Sequence, residues 1–78
     1  MVMIKELDLV VLTTAIPEER LEAGDVGTVV HAYQDGQAFE VEFMTLDGTT
    51  AAVVTVESSQ VRPVSHRDIT HAREMAAR

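Results

Sequence analysis

From residue 23 the chain reads Ala23-Gly24-Asp25-Val26-Gly27-Thr28-Val29-Val30, and Gln34-Asp35-Gly36-Gln37 comes shortly after. Two glycines three apart around an aspartate let the backbone turn sharply at positive φ, and the β-branched run after them reads as a buried strand. A strand that begins at a tight turn and ends at Asp35-Gly36, a strong hairpin signal, commits much of a short chain to antiparallel β-structure.

The flanking sequence agrees with this. Residues 8–13 form a β-branched run that stops at the Ile16-Pro17 break, and an irregular loop with Glu18, Glu19, Arg20 and Glu22 exposed leads to Gly24. The second strand spans residues 26–33 and the third residues 38–43. In the third, Phe39, Val41 and Phe43 face one way and Glu40 and Glu42 the other, so one side is buried and one is wet. Asp47-Gly48 turns the chain into a fourth strand over residues 49–56, where Ala52, Val54 and Val56 extend the same core. Glu57-Ser58-Ser59-Gln60 suits a single 3₁₀ turn. Residues 61–64 then form a last strand, which Pro63 confines to an edge because it cannot donate to a ladder. Strand, long loop, three-strand meander, 3₁₀ turn and short closing strand describe an all-β, five-stranded SH3-like barrel over residues 1–64.

Residues 65–78 change period. Ser65 is placed to cap a helix with Asp68 as its capping-box partner, and Val64 to staple onto Ile69. Ile69, Ala72, Met75 and Ala76 would then make a narrow apolar stripe, so the expectation is a C-terminal helical tail. Such a helix would dock on the barrel, dock on a partner or fray, and its stripe offers a homodimer contact with its own copy.

With 78 residues the chain makes one domain and buries only about 60% of the surface that its unfolded form exposes. It has no cysteine, so disulfides and thiolate chemistry are excluded. No apolar run approaches the ~20 residues that cross a bilayer, and the N-terminus does not read as a signal peptide, so a cytoplasmic location with no membrane partner is expected. Charge is unevenly placed. Residues 1–64 carry eleven acids against three bases, a net −8, whereas residues 65–78 carry three bases against two acids, a net +1. A body of that sign repels a phosphate backbone and argues against nucleic acid as a partner.

The strings Gly24-Asp25-Val26-Gly27-Thr28-Val29-Val30, Phe39-Glu40-Val41-Glu42-Phe43 and Val61-Arg62-Pro63-Val64 together resemble a small bacterial family known only as a domain of unknown function. Met3-Ile4-Lys5-Glu6-Leu7-Asp8 and Ile16-Pro17-Glu18 are similar to it as well, so the resemblance covers residues 3–64. It implies a fold and no activity. More distantly, the glycine-aspartate turn before Val26-Gly27-Thr28-Val29 resembles the SH3-like barrels of the photosystem I E subunit, the nitrile hydratase β subunit and ribosomal KOW modules, which implies protein or RNA binding.

No residue pattern marks a reaction. His66 and His71 are five apart and would not share a helix face as a zinc pair does; no cysteine completes a tetrahedral set, and no metal or cofactor is expected. His31 lies in a strand, where a histidine usually faces outward or sits satisfied in the core. Ser58, Ser59, Thr49, Thr50 and Thr55 are ordinary turn and strand hydroxyls, and Glu40 with Glu42 reads as an exposed strand face. Gly24 and Gly27 lack the lysine and following helix of a phosphate loop. The expectation is therefore a non-enzymatic protein-binding module, the acidic partner, inhibitor or antitoxin-like protein of a co-encoded basic protein. Its contacts would come from Glu18, Glu19, Glu22, Glu40, Glu42, Ile69 and Met75. An accessory subunit or adapter of a larger enzyme, and an RNA-binding KOW-like module, are the alternatives.

Overall fold

The computed structural model describes residues 3–75. Five strands are present, β1 (Leu9–Leu12), β2 (Val26–Tyr33), β3 (Ala38–Met44), β4 (Thr50–Glu57) and β5 (Val61–Pro63). They form an open antiparallel sheet in the order β4-β3-β2-β1-β5, with β4 and β5 at its edges. The all-β expectation holds, and every strand read from the sequence is found with its ends displaced by about a residue. β1 is one residue shorter at each end than expected. The Asp8 carboxylate accepts the Lys5 N–H at 3.0 Å, and the Thr13 N–H donates to the Gln60 carbonyl at 2.8 Å.

The core follows from strand alternation. Phe39, Val41 and Phe43 are buried, and Glu40 and Glu42 between them are only half-buried. Val10 and Leu12 of β1, Val29 of β2, Val56 of β4 and Val61 of β5 meet that row, with Ala52 and Val54 packed at its margin. The loop between β1 and β2 is pinned as well. Ile16 and Leu21 bridge one another across the 3₁₀ turn Pro17–Glu19, and both side chains enter the core. Asp35 and Gly36 turn the chain between β2 and β3 with φ of 59° and 77°, and Gly48 between β3 and β4 has φ of 91°. At Ser58–Gln60 the expected 3₁₀ turn forms, capped where the Gln60 side chain accepts the Glu57 N–H at 2.7 Å.

Two expectations are corrected. Gly24 does take positive φ, 99°, but Gly27 does not; it lies within β2, paired with Val10 and Phe43. Its requirement is space, since a Cβ there would fall 2.5 Å from Val41 Cγ1 and 2.9 Å from both the Glu42 carbonyl oxygen and Phe43 Cδ1.

The second correction concerns the tail, which is not helical over its described residues. The anticipated cap contacts do form: Asp68 Oδ2 accepts the Ser65 N–H at 2.7 Å and Ser65 Oγ accepts the Arg67 N–H at 3.2 Å. Arg62 takes the same Asp68 carboxylate through two hydrogen bonds, at 3.0 and 2.9 Å, which ties this turn to β5. Beyond it residues 69–75 run as an irregular strap. Ile69 is 90% exposed, so neither the staple to Val64 nor the apolar stripe exists, and Ala76 lies outside the described residues. A helix of this length is marginal in water. Here it loses to a path that brings Arg73 onto a carboxylate of the β1–β2 loop. A homodimer through a C-terminal helix loses its basis with it.

Candidate functional site

The site is built on the turn that enters β2. The Gly24 N–H donates to the Leu12 carbonyl at 2.8 Å, the Leu12 N–H to the Asp25 carbonyl at 2.9 Å, and the Asp25 N–H to the Glu22 carbonyl at 3.1 Å. These bonds fix the turn to the end of β1. Asp25 Oδ2 in turn accepts the Glu22 N–H at 2.8 Å, so the backbone of the β1–β2 loop orients the carboxylate. Asp25 is the one buried charged side chain among the described residues, at 9% exposure. Nearby, Arg20 closes the 3₁₀ turn in the left-handed conformation, its N–H donating to the Pro17 carbonyl at 3.0 Å.

The strap supplies the partners. Arg73 donates from Nε to Asp25 Oδ1 at 2.9 Å and from Nη2 to Asp25 Oδ2 at 2.6 Å, a two-point guanidinium–carboxylate pair. The same Nη2 donates to the Arg20 carbonyl at 2.9 Å, and Glu22 Oε1 stands 3.6 Å from Nε. His71 Nε2 lies 3.1 Å from Asp25 Oδ1, and its ring covers Gly24 so closely that a Cβ there would meet it at 3.4 Å. Burial alone would raise the Asp25 pKa. Hydrogen bonds from Arg73, the Glu22 N–H and His71, with the guanidinium charge, outweigh it and hold the carboxyl below the usual range.

Alongside this cluster runs a groove of about 510 Å³ between the strap and the β3–β4 connection. Val26, Phe43, Met44 and Leu46 form its apolar side, and Met75 approaches it from the strap. Val26, Met44 and Leu46 are left 40%, 45% and 83% exposed. Chemically the arrangement can hold a cation and an apolar side chain at once. Within it the Asp25 carboxylate is committed to four donors.

Of the residues expected to make contacts, Met75 lines the groove and Glu22 touches its strap. Glu18 and Glu19 sit on the 3₁₀ turn, Glu18 exposed and Glu19 half-buried. Glu40 and Glu42 are not free acids. Glu40 accepts from Tyr33 Oη at 2.6 Å and Thr55 Oγ1 at 3.3 Å, and Glu42 accepts from Thr50 Oγ1. His31 faces outward, edge-on to Tyr33 and 3.5 Å from Glu6. Sequence reasoning missed Asp25, His71 and Arg73 as a unit. The available signal was the alternation of His71, Arg73 and Met75, a period of two that turns His71 and Arg73 to Asp25 and Met75 to the core margin, while Ala72 and Glu74 stay exposed.

No curated protein and no solved structure matches the chain. A family model does, over residues 6–63, which spans all five strands and includes the Asp25 turn but excludes the strap. By that match the chain belongs to the family described as Domain of unknown function (DUF4926).

Proposed function

We propose that the chain is an SH3-like barrel that acts as a non-enzymatic protein-binding module, the acidic partner of a basic protein. Strand order β4-β3-β2-β1-β5, a long pinned loop between β1 and β2 and a 3₁₀ turn before β5 support the barrel assignment. The observation that carries the binding reading is the groove beside Asp25. It joins exposed apolar side chains to the carboxylates of Asp25 and Glu74 in a chain of net charge −7. Complementary charge steers a basic partner toward such a surface, and the apolar wall supplies the contact that holds it. An inhibitor or antitoxin-like role toward a co-encoded protein is the most concrete form of this reading.

Co-purification of the tagged full chain from its native host at low and moderate salt tests it. One stoichiometric basic protein, released as salt rises, is the expected result. Recovery of the chain alone, or with copies of itself only, overturns the reading.

A further inference from the structure

We infer that the Asp25 turn is an arginine-recognition site and that the strap fills it in cis, in the place of an arginine-bearing segment of the partner. The inference rests on the protein-binding reading and names the chemistry that the surface selects.

The receptor half belongs to the β1–β2 loop. The Asp25 carboxylate is oriented by the Glu22 N–H of its own loop, and the Arg20 carbonyl follows the left-handed turn at Arg20. With Glu22 Oε1 they converge on one guanidinium from three directions. A planar guanidinium satisfies the carboxylate and the carbonyl together, whereas an ammonium cannot span both with the same geometry. Receptor and occupant also fall on different sides of the family match: Arg20, Glu22 and Asp25 lie inside residues 6–63, and His71 and Arg73 lie outside them.

The strap is held as a ligand is held. Among the described residues, no backbone hydrogen bond joins residues 69–75 to the sheet. The attachment comes from His71 and Arg73 at the carboxylate and Met75 against the core margin, and Ile69, Ala72 and Glu74 are exposed. A segment fastened at two points opens at low free energy compared with a paired strand. The open groove beside it gives an incoming segment room to engage before the strap leaves. The fitting partner segment therefore carries an arginine with an apolar residue two positions later, as Arg73 and Met75 are spaced here.

The test uses the full-length chain and a fluorescent peptide with the sequence of residues 65–78, monitored by anisotropy. In wild type the strap competes, so the apparent affinity is the intrinsic one reduced by the fraction of sites that are open. Arg73→Ala in the protein is expected to tighten peptide binding by about tenfold or more. Adding Asp25→Asn is expected to abolish the gain, and a peptide with lysine in place of its Arg73 is expected to bind at least about tenfold more weakly. Equal peptide affinity for wild type and Arg73→Ala, or insensitivity to Asp25→Asn, overturns the inference. Arg73→Lys is the second variant, since it keeps the charge but cannot bridge both acceptors. Loss of cooperative melting in both Arg73 variants would show that the strap is structural and would also overturn it. A failed peptide assay with a partner still captured refutes only the arginine site; a failed capture refutes the wider reading.

Discussion

Replacing Gly27 by alanine isolates the closest approach in the sheet. The added Cβ meets Val41 Cγ1 at 2.5 Å, the Glu42 carbonyl oxygen at 2.9 Å and Phe43 Cδ1 at 2.9 Å. Overpacking of this kind costs about 1–3 kcal/mol, and the upper end applies because one of the three neighbours is backbone in a paired strand. Loss of unfolded-state freedom on changing glycine to alanine returns about 0.5 kcal/mol, leaving about 2.5 kcal/mol. For 78 residues the unfolding entropy is about 0.16 kcal/mol/K, so each kcal/mol moves Tm by about 6 °C and the expected drop is roughly 15 °C. Gly48→Ala is the control, with φ of 91° and no atom within 4 Å of the added Cβ; left-handed strain of about 1.5 kcal/mol less the same return of about 0.5 kcal/mol predicts roughly 6 °C. Thermal melts recorded by circular dichroism measure both. Val41→Ala in the Gly27→Ala background removes the nearest clash, so the double variant is expected to melt above the sum of the single effects. A Gly27→Ala melting point no lower than that of Gly48→Ala, or strict additivity with Val41→Ala, would falsify the packing argument.

Asp25→Asn should lower stability at neutral pH. Because the folded-state pKa of Asp25 is depressed, its contribution is present above the unfolded value of ~3.9 and fades as pH falls through the lower folded value. The gap between wild type and variant in urea melts should therefore be constant near neutrality and close below about pH 4; a gap that widens in acid contradicts this. Tyr33 is the single tyrosine, and its hydrogen bond to the Glu40 carboxylate raises its pKa above the ordinary value. Absorbance titration of Glu40→Gln should bring the phenol back toward the ordinary range, and an unchanged titration refutes the pairing. Phe39, 2% exposed at the centre of the core, should cost about 3–5 kcal/mol on truncation to alanine, close to the whole stability of a small domain. Leu46, 83% exposed, should change stability by no more than about 0.5 kcal/mol on the same truncation. Comparable losses at the two positions would contradict the burial pattern.

The strands are legible in the sequence because their signals are local. Phe39, Val41 and Phe43 alternate with Glu40 and Glu42, Asp35-Gly36 and Asp47-Gly48 mark the reversals, and Glu57 to Gln60 carry their own cap. Gly27 misleads because a glycine needed for a close approach and one needed for positive φ look alike in sequence; only the neighbouring strand distinguishes them. The tail misleads for a different reason. Ser65 and Asp68 do make the turn that usually starts a helix, but the path of residues 69–75 is decided by Arg73 reaching Asp25, 48 residues earlier. A pairing at that separation is not specified by any local cap or turn signal. The candidate site is hidden with it, since Asp25 reads as a turn residue until its partners are placed beside it.

The pairing of β1 with β5 bears on how this fold can be used. Val10 faces Pro63 across the ladder, and the Val64 N–H donates to the Leu9 carbonyl at 3.1 Å. The two points where backbone enters and leaves the sheet therefore sit side by side. A unit with adjoining ends can be inserted into an exposed loop of an unrelated host without forcing the host's flanking residues apart. The sheet is thus suited to insertion into a host loop, with the β1–β2 loop and its Asp25 turn contained between the two junctions.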